Sequence, residues 1–162
     1  MSTSFWRIGA EAPKYTADDS SGKGAEDTGG RWNKVSVPMV YSSSSRALAC
    51  LETVVHLNAG GLPLNRYLVE IIIPNDLVKS AETADERTVG VGWDALPEGK
   101  VSIEFGSKWA QEKRTAVLFV PSVIVPEEQN ALINPKHPGA SKIQFRKLRK
   151  CLYDPRFMAV KI

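Results

Sequence analysis

The chain has 162 residues, 43% of them hydrophobic and 24% charged, which suffices for one domain with a real core. Lys plus Arg is 21 and Asp plus Glu is 18, and the resulting net charge of +3 is too small to mark a nucleic-acid or membrane surface. Cys50 and Cys151 cannot build a disulfide scaffold, and no run approaches the roughly 20 apolar residues that cross a bilayer. The opening MSTSFWRIGAEAPKY lacks the basic start and apolar stretch of a secretory signal. The expectation is therefore one cytoplasmic domain over residues 1–162, with no membrane and no direct nucleic-acid partner.

In chain order, Phe5-Trp6-Arg7-Ile8 reads as a strand. A polar stretch from Ala10 to Gly30 follows, long for a structureless connection and so a candidate functional loop able to close over a pocket. It ends in Gly29-Gly30-Arg31-Trp32-Asn33, and Val37 to Ser42 reads as a second strand. Ser45 to Asn58 has the pattern of a helix, with a serine of Ser43–Ser45 as cap and Gly60-Gly61 as its end. Its apolar stripe is Ala47, Leu48, Leu51, Val54 and Val55, and Glu52 falls about 100° from the stripe's centre, where it can border a cleft. Arg66 to Pro74 is a β-branched strand, Asp76 to Lys79 a turn, and Val101 to Lys113 a helix with Phe105 and Trp109 four residues apart. Ala116 to Val120 reads as a buried strand ending at Pro121-Ser122. Ala131 to Ile133 and Lys142 to Leu152 complete the strands, the last containing a basic run best read as a solvated edge. Together they predict an α+β domain with several strands and few helices.

Most catalytic templates are absent: there is no P-loop, GxGxxG, HExxH or GxSxG. His56 and His137 lack metal-ligand spacing, so no metal is expected. The informative cluster is Arg31 after two glycines, Tyr41-Ser42-Ser43, and Glu52 on the following helix. Such an arginine can reach a phosphate bidentately. A tyrosine at a strand end can stack on a planar ring, and a carboxylate at a cleft edge can stabilise developing positive charge. Each also has a structural reading, as a solvated turn, a packed ring and an exposed helical acid. The residue types alone point to an anionic, ring-bearing ligand such as a nucleotide, and to no particular reaction.

Six ordered blocks add more: WRI, GGRWN, VYSSSSRALACLE, the Trp93 region, LFVPSVIVP and NALINPKHP. In their order and spacing the chain resembles the RES-domain toxins of bacterial toxin–antitoxin pairs. The resemblance implies a relative of the ADP-ribosyltransferase fold: a single α+β domain whose split mixed β-sheet is flanked by helices. It implies NAD as substrate, with no separate cofactor, and cleavage of the nicotinamide–ribose bond by hydrolysis or phosphorolysis, arresting growth. Inorganic phosphate would be one acceptor, and the partner an Xre-type helix-turn-helix antitoxin. The alternatives are an ADP-ribosyltransferase modifying a protein target, or a non-catalytic partner of a DNA-binding antitoxin.

Position by position, the resemblance assigns Arg31, Tyr41 and Glu52 to catalysis, and Arg7, Ser122, Ser43 and Asn134 to substrate binding. Ser122 is favoured over Ser43 because Val-Pro-Ser is the more distinctive block, and His137 stands in the same Asn-Pro-x-His block as Asn134. In this reading Glu52 steadies an oxocarbenium-like ribose or holds its hydroxyls. Arg31 and Arg7 take the pyrophosphate or an acceptor phosphate. Tyr41 stacks on nicotinamide or ribose, and Ser122 hydrogen-bonds the ligand. The Gly-Arg turn departs from the commoner signatures of that fold, which lead with a different histidine or arginine context.

Overall fold

A computed structural model of the chain describes residues 1–57 and 60–159. Seven strands form one mixed sheet: β1 (Ser2–Ala10), β2 (Val40–Ser43), β3 (Arg66–Pro74), β4 (Glu82–Thr83), β5 (Val117–Pro121), β6 (Gln129–Ile133) and β7 (Gln144–Lys150). Their spatial order is β4-β5-β6-β2-β1-β3-β7, parallel between β4 and β5 and antiparallel elsewhere. The α+β class and the split sheet implied by the resemblance are both present.

The split lies between β1 and β2. β1 pairs with β3 along its whole length, yet meets β2 at one residue pair, Trp6 with Ser43. Beyond that pair the strands part, and a cavity of about 210 Å³ is lined by Arg7 and Gly9 on one side and Met39 and Tyr41 on the other. The segment between β1 and β2 closes this cavity through Ala17 and Asp19. That segment is not structureless: it contains the short helix α1 (Lys23–Thr28) and is packed down where Ala17 lies against Gly9. A Cβ at Gly9 would stand 2.4 Å from the Ala17 carbonyl oxygen, so the contact requires glycine there.

Alternation along the strands sorts the core onto two faces. One face packs Phe5, Val69, Ile71 and Ile73 with Val117, Ala131 and Ile133. The other carries two separate clusters. Trp32, Met39 and Trp109 cover Leu118 and Leu132, while Trp6, Ile8 and Leu68 pack against Ala49 of α2 (Arg46–Val54). Between the two clusters, register sets Trp6, Ser43, Asn130 and Val120 side by side across four strands, which puts two polar residues at the seam.

The helix α2 starts as expected, with the Ser45 hydroxyl accepting the Leu48 N–H, and its end and buried face differ from expectation. It stops at Val54, well before Gly60-Gly61, because Thr53-Val54-Val55 is a β-branched run of low helix propensity; Asn58, the expected end, lies outside the described residues. Leu51 and Val55, expected in the core, are 37% and 55% exposed, while Leu48 and Ala49 are buried. Relative to the predicted stripe, the helix is turned by roughly 100°. That rotation carries Glu52 from the flank into the face that meets the sheet.

Other boundaries move less. The strand expected at Val37 to Ser42 is β2, which begins only at Val40 because Ser36 and Val37 still belong to a turn, Ser36 with φ of 82°. Asp76 to Lys79, expected as a turn, winds into α3 (Asn75–Lys79), and a second short helix, α4 (Glu86–Val89), is capped by Asp85. The predicted helix near Val101 is α5 (Lys100–Gln111), with Trp109 fully buried. The basic run is the exposed edge strand β7, and the described chain closes with α6 (Arg156–Ala159). Among the described residues no helix is long and apolar enough to cross a membrane.

Candidate functional site

Glu52 anchors the site. Its Oε1 accepts two hydrogen bonds, from the Ser122 hydroxyl at 2.7 Å and from Asn130 Nδ2 at 2.7 Å. The Ser43 hydroxyl in turn donates to Asn130 Oδ1 at 2.7 Å. Three strand ends supply these partners: β2 brings Ser43, β5 brings Ser122 just past Pro121, and β6 brings Asn130. Two short hydrogen bonds to one oxygen hold the side chain of Glu52 firmly in place. No donor among the described residues is bonded to Oε2.

Ser122 and Ser43, both expected to bond the ligand, have their hydroxyls engaged within the protein. Ser122 is fully buried: its hydroxyl proton goes to Glu52, and its oxygen accepts the Ile124 and Val125 N–H groups at 3.1 Å each. Ser43 is 3% exposed and engaged with Asn130. Ser122 bonds Glu52 directly, and Ser43 is linked to it through Asn130. Asn134 lies at the other end of β6 from Asn130, about 13 Å along an extended strand. It is buried, donating to the Ala110 carbonyl at 2.8 Å and accepting from the Lys136 N–H at 3.0 Å, so it holds the loop after β6, away from Glu52. His137 caps the following turn, accepting the Gly139 N–H through Nδ1 at 2.9 Å. Asn130, which sequence pattern does not single out, is the first letter of the block that also holds Asn134, and only the register of β2 on β6 distinguishes them.

Tyr41 connects this cluster to the arginine turn. It stands two residues before Ser43 on the same face of β2, roughly 7 Å away. Its hydroxyl donates to Asn33 Oδ1 at 2.6 Å and accepts the Trp32 N–H at 3.0 Å. Burial pushes the hydroxyl well above the ordinary tyrosine range, so it stays a neutral donor. Asn33 Nδ2 ties the same turn to the carbonyls of Ala25 at 2.8 Å and Val37 at 2.9 Å. From below, the turn rests on α5 at Gly106, where a Cβ would come within 1.9 Å of the Trp32 carbonyl oxygen.

The two arginines are cationic but not idle. Arg31 donates through Nη1 to the carbonyls of Trp93 and Ala95, both at 3.0 Å, which fixes the loop after α4 against the turn. Arg7 donates through Nη2 to the Ala17 carbonyl and to the Asp19 carbonyl, the latter at 2.9 Å, and its guanidinium stands 5.5 Å over the Phe145 ring. Burial lowers its pKa to about 10, a shift opposed by Asp19 and Asp18, and it remains charged at neutral pH. Arg7 Nε is buried with no partner among the described residues. The structure therefore brings together Glu52, Ser122 and Ser43, links Tyr41 to Arg31 through one turn, and sets Arg7 with Tyr41 on the walls of the split. Among the described residues no group of three His, Cys, Asp or Glu side chains could hold a metal.

Comparison with known proteins agrees with this architecture. The RES domain family model matches residues 4–154. A Sphingobium protein named "Prs ADP-ribosylating toxin" is 66% identical over 158 residues, covering 98% of both chains. A Yersinia enterocolitica protein named "Toxin Res" is 34% identical over 124 residues, covering 76% of this chain and 80% of that one. In fold, the chain is similar to one in the crystal structure of the Mycobacterium tuberculosis MbcT–MbcA toxin–antitoxin complex, with a TM-score of 0.62, 17% identity, and coverage of 98% and 88%. With a family match over nearly its whole length and a relative two-thirds identical end to end, the chain belongs to the RES-domain family.

Proposed function

We propose that the protein is the toxin of a toxin–antitoxin pair and that it cleaves the nicotinamide–ribose bond of NAD, passing ADP-ribose to an acceptor. The observation that carries this reading is Glu52: a carboxylate whose Oε1 is fixed by two donors and whose Oε2 has none among the described residues, at the seam of a split sheet. When the C1′–N bond breaks, its electron pair leaves with neutral nicotinamide and the ribose becomes oxocarbenium-like. A fixed carboxylate then stabilises positive charge that grows in the transition state, or holds a ribose hydroxyl against it. The acceptor's nucleophile bonds to C1′ and loses its proton to solvent. Arg7, on the wall of the split, supplies a cation for the pyrophosphate once its bonds to Ala17 and Asp19 yield. Tyr41 offers its ring face to nicotinamide or ribose.

The name of the 66% identical relative favours a protein acceptor over water or phosphate. NAD is substrate here and no separate cofactor is invoked. The solved relative in complex with an antitoxin supports an antitoxin partner, which we take to be of the Xre type, in the bacterial cytoplasm where NAD is available. One experiment tests reaction and acceptor together: purified protein, free of antitoxin, is incubated with adenine-labelled NAD alone, with phosphate, and with the host's Prs protein. Nicotinamide release with label on Prs supports the protein acceptor, and release with free ADP-ribose or its phosphate supports NAD degradation. No nicotinamide in any arm rejects the reaction.

A further inference from the structure

We propose that Ser43 and Asn130 form a relay that fixes the orientation of the Glu52 carboxylate, with one oxygen held on the protein and the other turned to the substrate, which makes both of them positioning residues; this rests on the reading of Glu52 given above. Asn130 Nδ2 donates to Glu52 Oε1 at 2.7 Å, and Asn130 Oδ1 accepts the Ser43 hydroxyl at 2.7 Å. The direction of the chain is dictated from the carboxylate end. An ionised carboxylate can only accept, so Asn130 turns its NH₂ toward it. Its carbonyl then faces Ser43, whose hydroxyl has to donate. Backbone register holds the pair in place, because Ser43 and Asn130 stand opposite each other on β2 and β6. Ser43 is also the residue that pairs with Trp6 where the two halves of the sheet meet. Ser122 closes on the same oxygen from β5. Rotating Glu52 would break two charge-assisted hydrogen bonds at once, so Oε1 stays with the protein and Oε2 is the oxygen presented to the substrate.

A positioning role of this kind is felt in the transition state and not in substrate binding. The experiment uses the full chain with Asn130→Ala, Ser43→Ala, the double variant, and Ser43→Thr as the conservative control. Nicotinamide release from NAD is followed together with thermal melting and the ¹³C resonance of the Glu52 carboxyl. Asn130→Ala is expected to lower kcat roughly 10- to 100-fold, the size of one lost hydrogen bond to a charged group, with little change in KM. Ser43→Ala, although Ser43 is not bonded to Glu52, is expected to move the Glu52 resonance and lower kcat. In the Asn130→Ala background it adds nothing further, and Ser43→Thr restores the wild-type signal. An unmoved Glu52 resonance in Ser43→Ala overturns the relay, as do additive single effects or a loss confined to KM. If Asn130→Ala does not fold, the Ser43→Ala resonance alone decides. A wild-type protein that releases no nicotinamide defeats the proposed reaction, while the resonance still decides the relay.

Discussion

The Tyr41 hydroxyl accepts the Trp32 backbone N–H at 3.0 Å while donating to Asn33 at 2.6 Å, so the tyrosine on the wall of the split also sets the turn that carries Arg31. A side chain with both jobs cannot be replaced by its nearest apolar analogue. Tyr41→Phe leaves the Trp32 N–H and Asn33 Oδ1 without that partner, and is expected to cost about 1–3 kcal/mol. The freed turn shifts Arg31, and NAD turnover falls by about 10-fold or more. Urea denaturation and nicotinamide release check the two halves. A variant as stable and as active as the wild type would show that the turn does not depend on the hydroxyl.

Glu52→Gln keeps the shape of the side chain and an oxygen to accept from Ser122, while removing the charge. The fold is expected to stay intact, with the melting temperature nearly unchanged. Nicotinamide release is expected to fall by roughly 100- to 1,000-fold, the scale of losing one preorganised electrostatic group. Growth inhibition on expression falls with it. A toxic, active glutamine variant would remove the carboxylate from the chemistry.

Gly106 lies within α5, where alanine is ordinarily the better helix former by about 1 kcal/mol. Here the added Cβ meets the Trp32 carbonyl oxygen at 1.9 Å, and backbone atoms cannot step aside cheaply. Gly106→Ala is expected to destabilise by about 1–3 kcal/mol or more despite its helix propensity. It also lifts the Trp32 turn, and so depresses turnover. An equilibrium denaturation curve showing a gain in stability would contradict the close approach.

Glu11 accepts the Ala17 N–H at 3.0 Å and pairs with Lys147 at 2.9 Å, tying the segment over the split to β7. The backbone N–H first, then the Lys147 ammonium, hold its carboxyl below the ordinary value of 4.5. A carboxyl depressed in the folded state stabilises the fold above its unfolded pKa and loses that contribution as pH falls through the folded value. Glu70, Asp18 and Asp85 are shifted in the same direction, by bonds from Ser4, Thr16 and Thr88 first. Melting temperature is therefore expected to hold near neutrality and drop as pH falls below 4.5. In Glu11→Gln part of that drop is absent, while the neutral-pH melting temperature is lower. An identical pH profile in the two proteins would rule Glu11 out as a contributor.

Much was legible from local pattern. The β-branched run Arg66–Pro74 is the strand β3 to the residue, and the spacing of Val101, Phe105 and Trp109 announces α5. Ser45 caps α2 as its position before the helix suggests, and the cationic run near the C-terminus is an exposed edge. Each of these depends on neighbours a few residues apart, which is the range that propensity and periodicity describe. The ordered blocks also placed the chain in its family.

What local pattern could not decide is which way each element turns. The apolar residues of α2 allow two faces, one through Leu51 and Val55 and one through Leu48 and Ala49; docking onto Trp6, Ile8 and Leu68 selects the second and swings Glu52 inward. Asn130 and Asn134 are alike in sequence. Pairing of β2 with β6 puts one opposite Ser43 and beside Glu52, and leaves the other to satisfy backbone groups at the far end of the strand. By itself the sequence determined a 162-residue α+β domain, its family, and the residue types from which a site could be made. Only the tertiary structure decided that one oxygen of Glu52 is bound by two donors while the other meets none among the described residues, because those donors come from strand ends 70 and 78 residues away in the chain. Strand register and helix docking bring such distant groups together, and neither is written in any single stretch of the chain.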